Sequence, residues 1–333
     1  MTKDTLITTV DSHTAGEPTR VITEGLPAIP GDTIGQQMAY FRGNLDHIRT
    51  ALLHEPRGNR HLVGAVVLPS TRPDADFGAF YLDHSRCFSM CGHATIGIGV
   101  TLIKTGRIEA VEPETKVVLD TPAGLVTIRL GIEDGHAVSG TLTNVPCFLH
   151  TKDIPVSFEG RSLSVDMAYG GSFFVVARAE DLDVEIRPKN IPELARYSGL
   201  IAGEVGKTIS PVHPELEGPG YEDLVYFYGD ARGSRADYRS LAVGGSGNFD
   251  RSPCGTGTSA RLAALYARGE LGPGDSLHVE GVLGTSFDAK IAEVCKVGDY
   301  SAIVPEITTS AFVTGYHQFL IDPEDPLKDG FLL

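Results

Sequence analysis

Ser89-Met90-Cys91-Gly92-His93-Ala94-Thr95 and Ser252-Pro253-Cys254-Gly255-Thr256-Gly257-Thr258 lie 163 positions apart and share serine, cysteine, glycine and threonine in one register. At the same offset Leu102 matches Leu265, Gly106 matches Gly269 and Ile108 falls opposite Leu271, so the likeness covers a segment. Behind each cysteine apolar residues recur at helical spacing: Ile96, Val100 and Ile103 in the first copy, Leu262, Leu265 and Tyr266 in the second. Each run stops at a glycine, Gly106 or Gly269. Two helices are predicted, each with a cysteine at or just before its N-terminus. Unpaired N–H groups and the helix dipole favour negative charge there, which suits a thiol to act as a base. One cysteine in a Gly-rich turn is more often a small packed residue. Two in equivalent places of a repeated unit reverse that expectation.

The chain around these segments is also written twice. Leu6 to Ile22 is a strand pair with a polar tip at Asp11-Ser12-His13-Thr14-Ala15-Gly16-Glu17-Pro18. A helical stretch from Ile34 to Leu53 follows, then strand-like runs at 62–68 and 77–82, the Cys91 helix, and runs at 116–119 and 125–130. The second half replays this with 164–176, a helix over 191–205, strands at 223–228 and 238–243, the Cys254 helix, and strands at 276–280 and 286–291. The expected fold is α+β: two halves related by a pseudo-twofold axis, each wrapping strands around one central helix. The halves are placed at 1–133, with 313–333 packing back on it, and 134–312. Such an axis would turn Cys91 and Cys254 toward each other across one cleft. Pro211 to Gly220 reads as a surface loop, and the acidic end, Asp322 to Asp329, as a solvated tail.

A length of 333 residues supports a core in each half, and 41% hydrophobic with 21% charged residues is ordinary for a globular protein. The net charge of −15, with no local cluster of Lys and Arg, argues against nucleic acid as a partner. No apolar run reaches membrane-spanning length, and the N-terminus lacks a signal-like apolar core. Five cysteines without framework spacing suit a reducing cytoplasm, where Cys87, Cys147 and Cys295 are read as structural.

Two opposed cysteines, one thiolate and one thiol, can invert a carbon stereocentre by removing a proton from one face and delivering one to the other. Like charges disfavour double ionisation, so the mixed state is the resting one. Helix N-termini supply N–H donors for the substrate carboxylate, and no cofactor is needed. Rival patterns are weaker. Gly255-Thr256-Gly257-Thr258-Ser259-Ala260 fits a dinucleotide fingerprint, but the polar stretch 244–252 precedes it where a buried strand belongs. Cys87, Cys91 and His93 lack a fourth metal ligand at usual spacing, and His278 and Glu280 with Cys254 imitate a deaminase site in the wrong order. A Cys/His hydrolase with His93 or His13 as base leaves the second cysteine without a role.

At these residues the sequence resembles the proline racemase family of proline racemases, 4-hydroxyproline 2-epimerases and trans-3-hydroxyproline dehydratases. Met90-Cys91-Gly92-His93 and Asp250-Arg251-Ser252-Pro253-Cys254-Gly255-Thr256-Gly257-Thr258-Ser259-Ala260 are similar to its two signature motifs. Asp11 to Pro18 and Glu55-Pro56-Arg57-Gly58 are similar to others. The resemblance implies a diaminopimelate-epimerase-like fold, a homodimer, no pyridoxal phosphate or metal, and Cys91 and Cys254 as the acid/base pair. It also implies that Gly92, His93, Asp250, Gly255 and Thr256 bind an amino acid, with His93 and Asp250 near the ring nitrogen and the amides near the carboxylate. Family dehydratases usually carry threonine where this chain has Cys254, which points to inversion. Proline racemases resemble one another in an aromatic residue where this chain has Gly244, and its loss leaves room for a ring hydroxyl. The 4-hydroxyproline epimerases tend to carry a histidine on the strand that here reads Asp223 to Tyr228; this chain has none there, leaving Tyr226 or Ser246 for the hydroxyl. The expectation is a cytoplasmic epimerase converting trans-4-hydroxy-L-proline to cis-4-hydroxy-D-proline, with proline racemase or trans-3-hydroxy-L-proline dehydratase as alternatives.

Overall fold

A computed structural model of the chain describes residues 4–216, 223–233, 235–245 and 247–333. They form two compact units: the chain up to Thr141 together with Ser310–Leu333, and Leu142–Thr309. The sequence places these borders at 133/134 and 312/313. The first of those falls in a two-residue turn, Asp134-Gly135, where both φ angles are positive (49° and 72°) and two successive strands meet.

In the first unit β1 (Thr5–Thr14) and β2 (Glu17–Glu24) form a hairpin. The polar run expected as its tip is mostly strand, and the turn is only Ala15-Gly16, with φ of 50° and 99°. Such left-handed pairs match the twist of a hairpin. Thr14 fits a strand because its hydroxyl has a partner inside the unit, the carbonyl of His93 at 2.8 Å. The single helix expected over 34–53 is broken at Leu45 into α1 (Ile34–Asn44) and α2 (Asp46–Leu53). Thr33 Oγ1 caps α1 by accepting from Gln36 N–H, and Asp46 opens α2 with a salt bridge to Arg49 at 2.6 Å. There follow β3 (Val63–Pro69), β4 (Phe77–Leu82), the short β5 (Cys87–Phe88), α3 (Gly92–Lys104), β6 (Glu114–Thr121), β7 (Gly124–Glu133) and β8 (His136–Thr143). Ile7, Ile22, Ile34, Phe41, Ile48, Leu52, Phe80 and Leu82 bury the face between α1, α2 and the strands.

The second unit contains β9 (Cys147–Phe158), β10 (Arg161–Tyr169), β11 (Phe173–Arg178), α4 (Ile191–Gly206), β12 (Leu224–Gly229), β13 (Tyr238–Gly244), α5 (Gly255–Ala267), β14 (Ser276–Glu280), β15 (Ser286–Val297) and β16 (Tyr300–Thr309). Its ladder runs in chain order from β9 to β16, and β16 pairs back onto β9 through Ala302 with Phe148, closing a barrel. The chain ends with β17 (Ala311–Ile321), which pairs antiparallel to β1.

The first ladder, β17-β1-β2-β3-β4-β6-β7, has pairings antiparallel, antiparallel, parallel, antiparallel, parallel, antiparallel. The second, from β9 to β15, has the same series. By this match β4 corresponds to β13 and β3 to β12. In each unit one helix is buried on almost every face: α3 touches β1, β2, β3, β7 and β17, and α5 touches β9, β10, β11, β15 and β16.

The acidic end is no loose tail: Arg57 pairs with Asp325 at 3.6 Å and donates to Lys328 O, while Phe331 and Glu55 exchange backbone hydrogen bonds. The strands β8, β9, β16 and β17 have no counterpart among the strands that the sequence marks. The loop at Pro211 to Gly220 lies in part, 217–220, outside the described residues.

Candidate active site

Cys91 is the N-cap of α3 and is 7% exposed. Its sulfur lies 3.4 Å from Nδ1 of the buried His93. The loop is clamped from two sides. Thr95 donates to the Cys91 carbonyl through both its N–H, at 3.0 Å, and its hydroxyl, at 2.7 Å. Thr14, at the end of β1, donates to the His93 carbonyl at 2.8 Å. Gly97 lets β1 approach, because a Cβ there would stand 2.9 Å from Ser12 Oγ.

Cys254 is the N-cap of α5, also 7% exposed, and its sulfur accepts from Gly257 N–H at 3.4 Å and lies 3.6 Å from Thr256 Oγ1. Asp250 organises the approach: its Oδ1 accepts from the N–H of Ser252 at 2.8 Å and its hydroxyl at 2.7 Å. Ser252 Oγ in turn accepts from Cys254 N–H at 3.1 Å. Ser252 thus links Asp250 to the cysteine.

The expected site residues therefore form two clusters: Cys91, Gly92 and His93 at the head of α3, and Asp250, Cys254, Gly255 and Thr256 at the head of α5. The leading amides of both helices have no intrahelical acceptor and suit a carboxylate. The other cysteines differ. Burial pushes the Cys87 thiol up to about 12 and raises Cys147 and Cys295 as well, which keeps them neutral.

Other sequence candidates are scaffold. Asp11 pairs with the buried Arg20 at 2.8 Å, and Arg20 also donates to the carbonyls of Leu52 and Arg57 at 2.6 Å, tying two of the motif-like stretches together. His13 Nδ1 accepts from Gly16 N–H at 3.3 Å, and Glu17 is buried. Tyr226, considered for a substrate hydroxyl, is fully buried with its own hydroxyl engaged by Thr258 and Tyr238. Ser246 lies outside the described residues. Gly255 to Ala260 sits inside α5 and follows no adjoining strand, so the dinucleotide arrangement is missing. His278 bonds Asp288 and Glu280 pairs with Arg239, and among the described residues no three His, Cys, Asp or Glu are grouped to hold a metal ion.

The two cysteines differ in backbone. Cys91 has φ −147° and ψ 111°, an ordinary extended geometry, whereas Cys254 has φ 64° and ψ 104°. A side chain held there costs on the order of 1–3 kcal/mol. Both cysteines are N-caps, where Gly is favoured over Ala even with ordinary backbone angles. The strain at 254 should therefore show as a difference, with the advantage of Cys254→Gly over Cys254→Ala exceeding that of Cys91→Gly over Cys91→Ala by about 1 kcal/mol. Urea denaturation of the four variants measures this; equal advantages at 91 and 254 would show that the geometry is unstrained.

The family model described as proline racemase matches residues 9–332. The chain is 40% identical over 324 residues to a proline racemase of Acetoanaerobium sticklandii, covering 97% of each chain. It is 43% identical over 325 residues to a 4-hydroxyproline 2-epimerase of Streptosporangium roseum, again covering 97% of each. A solved structure of a hydroxyproline epimerase from Agrobacterium vitis, with bound trans-4-hydroxy-L-proline, matches with a TM-score of 0.93 at 34% identity, over 99% of this chain and 96% of that one. With a family match over nearly its whole length and racemase and epimerase relatives at this identity, the chain belongs to the proline racemase family and is an isomerase.

Proposed function

We propose that this enzyme inverts C2 of a proline-type imino acid with Cys91 and Cys254 as its acid/base pair, trans-4-hydroxy-L-proline being converted to cis-4-hydroxy-D-proline. The observation that carries the reading is the repeated design: two matching ladders, each with a buried helix capped by a nearly buried cysteine. In this reading the sulfurs flank one Cα. One, as thiolate, takes the α-proton and becomes a thiol; the other gives its proton to the opposite face and becomes the thiolate, so charge and protons balance. The amides of Gly92, Gly255 and Thr256 hold the carboxylate as the carbanion's charge spreads onto it, and His93 and Asp250 hold the ring nitrogen. The chemistry calls for no cofactor. The homodimer implied by the family resemblance and the cytoplasmic setting that the cysteine usage suits belong to the same proposal.

At position 244 the room expected for a ring hydroxyl is filled by a polar group: a Cβ on Gly244 would stand 2.3 Å from Asn248 Oδ1, so the carboxamide of Asn248 takes the space into which an aromatic side chain would grow. A polar group there suits a hydroxyl better than a bare ring. Cys254 in place of threonine disfavours the dehydratase.

Proline, trans-4-, cis-4- and trans-3-hydroxyproline, each incubated in D2O and followed by polarimetry and mass, test this. The expected result is inversion of trans-4-hydroxy-L-proline at a kcat/KM at least about tenfold above that of proline, with one deuterium gained at Cα. Faster inversion of proline would make it a proline racemase. A cyclic imine from trans-3-hydroxy-L-proline, without inversion of the others, would make it a dehydratase.

A further inference from the structure

Two buried tyrosines stand behind the cysteine-led helices. In the second unit the Tyr226 hydroxyl lies 2.9 Å from Thr258 Oγ1 and 3.3 Å from the Tyr238 hydroxyl. Thr258 Oγ1 donates to the carbonyl of Pro253 at 3.1 Å, which also accepts from Ser240 Oγ at 3.0 Å. With its one proton committed to Pro253, Thr258 accepts from Tyr226, and Tyr226 accepts from Tyr238. Burial pushes both phenols up, so both remain protonated donors. The Tyr226 ring also lies under Gly257, where a Cβ would meet its Cδ2 at 2.3 Å. Gly257 is the residue whose N–H reaches the Cys254 sulfur. One tyrosine thus fixes the carbonyl before Cys254 by its hydroxyl and the amide that bonds the sulfur by its ring.

The first unit repeats the chemistry. Tyr81, fully buried, bonds Thr95 Oγ1, and Thr95 Oγ1 donates to the carbonyl of Cys91 itself. Thr95 and Thr258 are copies within the repeat, but the tyrosines are not. Tyr81 belongs to β4, which corresponds to β13, whereas Tyr226 belongs to β12, which corresponds to β3. Duplication alone would have left both on the same strand. A chain of tyrosine, threonine and loop carbonyl reached from different strands in the two units points to a shared demand at the cysteines.

We propose that Tyr81 and Tyr226 are positioning residues for Cys91 and Cys254, each setting the direction of its sulfur through the threonine it holds. The proposal rests on the two-cysteine reading. In the full-length protein, Tyr81→Phe and Tyr226→Phe remove one oxygen each and leave the ring packing. Misaiming an acid/base group by a fraction of an ångström should lower kcat about tenfold with KM changed less than about twofold. Alkylation by iodoacetamide without substrate, read by peptide mass spectrometry, should shift more than about threefold at Cys254 alone in Tyr226→Phe, and at Cys91 alone in Tyr81→Phe. Thr258→Ser, which keeps a hydroxyl, should retain kcat, and Thr258→Val should behave as Tyr226→Phe. Unchanged kcat in both tyrosine variants, or alkylation rates that move together at both cysteines, would overturn the proposal. The alkylation arm is independent of turnover, so it still reports on positioning if a cysteine proves dispensable for inversion.

Discussion

Changing either Cys91 or Cys254 to serine should lower turnover about a thousandfold in both directions, because an alcohol is far too weak an acid and its alkoxide too scarce a base near neutral pH. Loss of activity alone would fit one essential cysteine and one structural one, so the informative readout is α-hydrogen exchange. A two-base enzyme stripped of one sulfur keeps the other, which can still remove and return a proton on its own face. Cys254→Ser should therefore wash deuterium from D2O into one epimer without inverting it, and Cys91→Ser into the opposite epimer. Exchange of the same epimer in both variants would mean a single base serves both directions. Turnover within about threefold of wild type in either variant would remove that cysteine from the chemistry. Both side chains are nearly buried, and serine is smaller than cysteine and keeps a hydrogen-bonding group, so it should fit each site without disturbing the helix behind it.

The parts of the fold legible in the sequence were those with a strong local period or a copy to compare. The helices after Cys91 and Cys254 were readable because each carries apolar residues at three- and four-residue spacing and ends near a glycine; β4 was readable from a short, bounded apolar run and β14 from the alternation of Leu277 and Val279 with polar residues. β17 escaped notice for a physical reason: its outward positions hold Phe312, Tyr316 and Leu320, all more than half exposed, so apolar residues occupy both faces and the alternation vanishes. β9 alternates in burial only from Asp153 to Phe158; ahead of that, Lys152 and Asp153 are both exposed and break the pattern. The polar hairpin tip was misjudged because Thr14 has its partner on α3, 79 residues away, which no local window contains. The same limit hides what the tyrosines hold: Tyr81 looks like any aromatic residue in a buried strand, and Tyr226, a candidate for the substrate hydroxyl by its strand alone, has its partner Thr258 32 residues away. At the site, the cysteines and Asp250 were legible from the repeat and the motif. The service of Ser252 as the link between them depends on a turn whose geometry the residue names do not carry.

Gly170→Ala should be the most damaging single methyl that can be added near the second cysteine. Gly170 sits between β10 and β11, where its carbonyl accepts from Asn144 Nδ2 at 2.9 Å; Asn144 also reaches Ser259 on α5 at 3.0 Å. A Cβ at 170 would stand 2.0 Å from the Thr256 carbonyl oxygen and 2.7 Å from the Ala260 nitrogen. Both are backbone atoms of α5, so no side chain can swing aside and the helix head itself must move by roughly an ångström. A shift of that size at a reacting group costs on the order of a hundredfold in rate, and overpacking of this kind costs about 1–3 kcal/mol of stability. Gly203→Ala supplies the control: Gly203 is exposed within α4 with nothing inside 4 Å of its would-be Cβ. There alanine should stabilise by about 1 kcal/mol through helix propensity and leave kcat unchanged. Measured side by side, a Gly170→Ala enzyme with wild-type kcat would mean that the first turn of α5 has slack, and the tight seating on which the aim of Cys254 depends would have to be given up.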